Sequence, residues 1–162
     1  MKTKKLVLAA LLAALACVAT MILRVPSPLG GYLNLGDGVV LLCGWLLSPA
    51  YGFLAAAIGS GLADVLSGYA LYAPVTFFIK GLMALIAYRT AHDASKRPLL
   101  SRTLGGVLAE CVMIVGYLLF ESCLYGFVPS LVNVPPNAVQ GLAGLVIGSV
   151  LIHIVKKFHI VK

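Results

Sequence analysis

Residues 36–66 read GDGVVLLCGWLLSPAYGFLAAAIGSGLADVL. Two apolar runs meet at Ser48-Pro49, and the only charges are Asp37 and Asp64. Proline cannot continue a helix, and it pushes the residue before it into extended backbone. One helix therefore closes over 36–48 and another runs over 50–66. Neither run shows the polar face that a half-solvated helix needs, so both belong in lipid or in a protein interior. The first is short for a full span of about 20 residues, which predicts a tilted, extended or re-entrant segment.

The same pattern extends in both directions. Of the 162 residues, 61% are hydrophobic and 10% charged, against roughly 25% charged in soluble domains. Such a chain cannot cover a water-exposed surface, whereas a bilayer solvates an apolar exterior. Further helices are predicted over 5–23, 75–90, 103–126 and 137–155. The segments RVPSPLGGYLNLGDG, SGYALYAP, HDASKRPLLSR and FVPSLVNVPP read as loops. The expectation is an all-α integral membrane protein, one domain over 1–162, a compact bundle of six transmembrane helices. The start MKTKKLVLAALLAALACVA has the features of a secretory signal. Its apolar run continues through Leu23, so a retained first helix is expected.

Basic residues orient the bundle. Six spans place the N-terminus, the 92–102 loop and the C-terminus on one side. That side carries Lys2, Lys4, Lys5, Arg89, Lys96, Arg97, Arg102, Lys156, Lys157 and Lys162, and the opposite loops carry only Arg24. Both termini are expected in the cytoplasm, with the protein in the cell membrane. The net charge of +7 is then topological, and no nucleic-acid partner is expected. The four cysteines lie inside apolar runs without a CxxC pair and read as buried small hydrophobes.

Charges inside membrane helices are costly and informative. At about 1.5 Å per residue, Asp37, Asp64, Lys80, Glu121, Asn137 and Gln140 converge on one layer near the outer face. Tyr32, Asn34, Tyr69, Tyr72, Tyr125 and Asn133 lie in or beside the outer loops. Convergent polar groups with aromatic walls read as a solute pocket. The bland alternatives are an interfacial tyrosine belt and a simple Lys80–Asp64 pair. Glu110 lies deeper, toward the cytoplasmic side, where it faces a partner or a neighbouring helix. Ala9-xxx-Ala13 and Ala10-xxx-Ala14 give helix one a small-residue stripe that suits close helix packing.

No GxxxxGK[ST], HExxH or metal-spaced Cys/His set occurs, so neither cofactor nor metal is expected. Ser60 lies far from any histidine able to act as its base, so no enzyme is expected.

The runs GYLNLGD (31–37), ADVLSGY (63–69), YAPVTFFIKG (72–81) and PPNAVQG (135–141) resemble the substrate-binding S components of energy-coupling-factor (ECF) vitamin transporters. The alanine stripe fits the same pattern. The resemblance covers nearly the whole chain and is most specific over 36–81. It implies a six-helix bundle that captures a vitamin or precursor at its outer face beneath the first loop. It further implies that the alanines of helix one meet a transmembrane coupling subunit carrying two ATPase subunits, which supply the energy this chain has no motif to harness. Carried over by position, Tyr32, Asn34 and Asp37 match the capping loop. Tyr69, Tyr72 and Lys80 match the third loop and fourth helix, and Asn133, Asn137 and Gln140 the last loop. The residue types suit a small, flat, polar nitrogen heterocycle. The resemblance is strongest to the family members for hydroxymethylpyrimidine or vitamin B6, with riboflavin, pantothenate and folate open. A non-transport scaffold and a stand-alone facilitator are the rival classes.

Overall fold

The structure, a computed structural model, describes residues 2–92 and 98–158. Lys96, Arg97 and Lys162, which entered the charge argument, lie outside them. Helix α1 spans Lys2–Ile22. A small antiparallel ribbon follows, β1 (Val25–Pro26) and β2 (Tyr32–Leu33), with Val25 opposite Leu33. Gly30, at φ +88°, makes the reversal between them, a conformation that costs a residue without Cβ little. Then come α2 (Asp37–Leu46), α3 (Pro49–Leu66), α4 (Ala73–His92) and α5 (Pro98–Tyr125). The chain returns through α6 (Phe127–Ser130) and a 3₁₀ turn (Leu131–Asn133) into α7 (Val134–Lys157).

Four features differ from the expected elements. The first outer loop is hydrogen-bonded as a ribbon, and FVPSLVNVPP forms helical turns. Pro135 and Pro136 lie within the first turn of α7, where a missing N–H costs nothing, so that helix begins before 137. Helix α5 starts at Pro98 for the same reason and is longer than 103–126.

Helix α2 is the centre of the bundle. Its residues from Asp37 to Trp45 are all buried, and it packs against α1, α3, α4 and α7. Ten residues rise about 15 Å, half the hydrocarbon thickness, so this helix is an inner post surrounded by longer ones. Small residues set the spacing around it. A Cβ on Gly44 would overlap the Ala84 carbonyl oxygen of α4, and one on Gly59 of α3 would overlap the Ala13 carbonyl oxygen of α1. Backbones touch directly at both seams, as is common where helices associate in lipid.

The outer surface is apolar. Leu11, Leu15, Ile58, Leu82, Leu119 and Val146 are large and exposed. The spans Thr3–Ile22, Pro49–Leu66, Leu99–Tyr125 and Phe127–Lys157 are long and apolar enough to cross a bilayer. The molecule is an all-α membrane protein. Cys17 and Cys43 are buried as expected, but Cys111 and Cys123 are exposed on this apolar exterior. Lipid solvates a thiol there as well as a core would.

The alanine stripe of α1 divides. Ala9 is buried and Ala13 half-buried, on the side packed against α3, while Ala10 and Ala14 are exposed. The four expected interface positions therefore do not share one outward face. Steps of one residue turn a helix by about 100°, and the two pairs are one residue apart.

Candidate functional site

Asp37 opens α2 and brings a carboxylate to the middle of the bundle with 0% exposure. Lys80 of α4, 2% exposed, forms an ion pair with it. Gln140 of α7 donates from Nε2 to Asp37 Oδ2 at 2.7 Å. Its Oε1 accepts the Asn34 backbone N–H at 2.9 Å. Asn34 Oδ1 in turn accepts the Gly36 N–H at 2.9 Å, just ahead of α2. Two charges removed from water are tolerable only when paired and hydrogen-bonded, and the N-terminal end of α2 further favours the carboxylate.

A second layer adjoins this one. Tyr32 donates from its hydroxyl to Asp64 Oδ1 at 2.6 Å. Burial, and then the Asp64 carboxylate, push the Tyr32 phenol well above its ordinary pKa, so it stays a neutral donor. Asn133 Nδ2 donates to Glu121 Oε1 at 2.8 Å, and the Tyr72 hydroxyl lies 3.4 Å from that oxygen and 3.3 Å from the Leu29 carbonyl. Thr76 Oγ1 and Tyr117 Oη are 2.9 Å apart. Tyr69 packs on Tyr32 with centroids 4.5 Å apart.

These groups surround a cavity of about 30 Å³. Tyr32, Asn34, Asp64, Tyr72, Glu121, Asn137 and Gln140 line it. Asp37 and Asn133 stand one hydrogen bond behind the wall, Lys80 lies behind Asp37, and Tyr69 braces Tyr32. Ser27, Gly31, Thr76 and Tyr117 also line the cavity and were not expected from sequence. Helical spacing could have found two of them: Thr76 is one turn before Lys80, and Tyr117 one turn before Glu121. The suggested Lys80–Asp64 pair does not form, because Lys80 belongs to Asp37 and Asp64 to Tyr32. Glu110, 5% exposed, packs inward against Gly141 and Gly144 of α7, not outward toward a partner.

The ribbon closes this end of the bundle. It is fastened to α3 by Tyr32–Asp64, to α7 by Asn34–Gln140 and to the start of α4 by Leu29–Tyr72. The enclosed space holds little more than a water molecule, whereas ligand pockets run to about 300–1,000 Å³. Buried oxygens without a partner among the described residues include Asp64 Oδ2, Glu121 Oε2 and Ser27 Oγ. Unpartnered buried acceptors are expensive. No cluster of three or more His, Cys, Asp or Glu suited to a metal occurs among the described residues.

A helical membrane protein with a polar chamber at one end, roofed by a hydrogen-bonded loop, belongs to the class of membrane-embedded solute-binding proteins. The pattern of the family described as "ECF-type riboflavin transporter, S component" matches residues 1–157. The chain belongs to that family, which is one of transporter substrate-binding components and not an enzyme family. It is 37% identical over 143 residues, 86% of this chain and 93% of the other, to a Pyrococcus woesei protein described as "uncharacterized protein in gap 3′ region". Its fold is similar to that of the S component of a bacterial ECF transporter, with TM-score 0.73, 24% identity and 98% of both chains covered. The family description names riboflavin, whereas the resemblance in sequence favoured hydroxymethylpyrimidine or vitamin B6 and left riboflavin open.

Proposed function

We propose that this chain captures riboflavin at the outer face of the cell membrane and hands it inward with a transmembrane coupling subunit and two ATPase subunits. The reading places six spans in the bilayer with both termini in the cytoplasm, in keeping with the distribution of Lys and Arg. The observation that carries it is the chamber itself. Polar groups from the ribbon and from α3, α5 and α7 converge under a roof held by side-chain hydrogen bonds, and three of their oxygens lack partners. Riboflavin supplies what those acceptors lack, since its sugar-alcohol chain carries hydroxyl donors and its ring an N–H. Its flat ring suits the tyrosines that wall the site.

The cavity is about tenfold smaller than the smallest usual ligand pocket, so binding requires the ribbon to lift. The closing bonds are few, and each is replaceable by a bond to ligand. Ala10 and Ala14 are the exposed small residues of α1 and supply the docking face for the coupling subunit. The test is uptake of riboflavin into vesicles that contain the chain with a coupling module. Uptake should require ATP hydrolysis and both components. Uptake by the chain alone would point to a facilitator instead.

A further inference from the structure

Among the described residues, the cavity lining contains two carboxyl groups, Asp64 and Glu121, and no cationic side chain. Lys80, whose ammonium lies 5.6 Å from the ring centroid of the lining residue Tyr117, is committed to Asp37. Arg24, just ahead of β1, is exposed and does not line the cavity. Asp64 is 4% exposed and Glu121 2%, and each keeps one oxygen unpartnered. Their other oxygens already accept hydrogen bonds from Tyr32 and from Asn133. Among the described residues, the chamber wall thus carries free acceptor oxygens and no positive group to receive an anion.

We propose that Asp64 and Glu121 are specificity-determining residues that restrict the site to neutral or cationic, donor-bearing ligands and reject their phosphorylated or carboxylated forms. The proposal rests on the riboflavin reading for its natural ligand. A hydroxyl donor satisfies a free carboxyl oxygen. A phosphate or carboxylate at the same place brings like charge against it in a site shielded from water, where such juxtaposition is costly. The device suits an importer, because phosphorylated vitamins are the forms trapped inside cells. A site that refuses them does not rebind the product of the kinase-type reaction that follows uptake.

The experiment compares riboflavin with riboflavin 5′-phosphate, which differ only in the phosphate, by titration of the purified chain and of Asp64→Asn/Glu121→Gln. Both substitutions keep shape and an acceptor oxygen, so Tyr32 and Asn133 retain their partners. The wild-type protein should bind the phosphate at least a hundredfold more weakly, and the double variant should narrow that ratio to about tenfold or less. Comparable binding of both by wild type overturns the charge rule while leaving riboflavin capture intact. An unchanged ratio in the folded double variant also overturns it. If riboflavin itself fails to bind, the ligand reading falls. The charge rule is then judged on pyridoxine and thiamin against pantothenate and folate, and tight binding of either acid overturns it.

Discussion

Lys80 of α4 is paired with Asp37 of α2, and not with Asp64 of α3, the carboxylate that its own helical hairpin offers. This choice decides the layout of the site. It ties the central helix to α4, and through Gln140 to α7. Asp64 is left free to hold the ribbon through Tyr32.

The ion pair should behave as a structural unit. Lys80→Met strands the Asp37 carboxylate in the bundle core, which typically costs 3–5 kcal/mol. The variant should lose most of its folded yield or melt at least about 10 °C lower in detergent. Lys80→Met with Asp37→Asn, which removes both charges and keeps an amide for Gln140, should recover much of the loss. Equal stability of the two variants would contradict the assignment.

The ribbon should open more readily without its fastening to α3. Tyr32→Phe deletes the hydrogen bond to Asp64 and nothing else. A bond to a charged acceptor is worth about 1.5–3 kcal/mol. Amide exchange over residues 24–36, read by mass spectrometry in the absence of ligand, should accelerate at least tenfold. Exchange in α2 should not change.

Two residues of α7 should separate binding from folding. Asn137 lines the cavity without a side-chain hydrogen bond among the described residues, whereas Gln140 bridges Asn34 and Asp37. Asn137→Ala should weaken ligand binding by roughly 5–150-fold, the equivalent of about 1–3 kcal/mol, with little change in melting temperature. Gln140→Ala should lower both. Calorimetric titration beside a thermal melt distinguishes them.

The divided alanine stripe makes opposite predictions for neighbouring residues. Ala10→Trp and Ala14→Trp add bulk to an exposed face, so the protein should fold and bind ligand within a few-fold of normal while ATP-driven uptake and co-purification with the coupling subunit are lost. Ala9→Trp forces a large ring into the side packed on α3 and should destabilise the fold itself, as overpacking does. Full uptake by the Ala10 and Ala14 variants would remove α1 from the docking role.

Much of this architecture was legible in the residues. Ser48-Pro49 marks the break between α2 and α3, and the intramembrane charges mark the polar layer, because lipid makes each of them costly enough to need a reason. Position along a helix gives depth but not direction, and for that reason depth alone could not tell Lys80–Asp37 from Lys80–Asp64. The central place of α2 was hidden similarly: a short apolar helix fits a tilted span or a buried post equally well. The ribbon was missed because its strands are two residues each, too short for any alternation to show. Small-residue spacing located helix contacts on α1 but not which pair faced inward, since Ala9 and Ala10 are indistinguishable until Gly59 is placed beside Ala13.

Capture of riboflavin beneath the ribbon is tested by titration of the purified, ligand-free chain with riboflavin, with quenching of flavin fluorescence as the readout. One saturable site of sub-micromolar affinity is expected, with ring fluorescence quenched by the surrounding tyrosines and affinity reduced in Asn137→Ala. Absence of saturable binding by folded protein, or binding indifferent to Asn137, would contradict it.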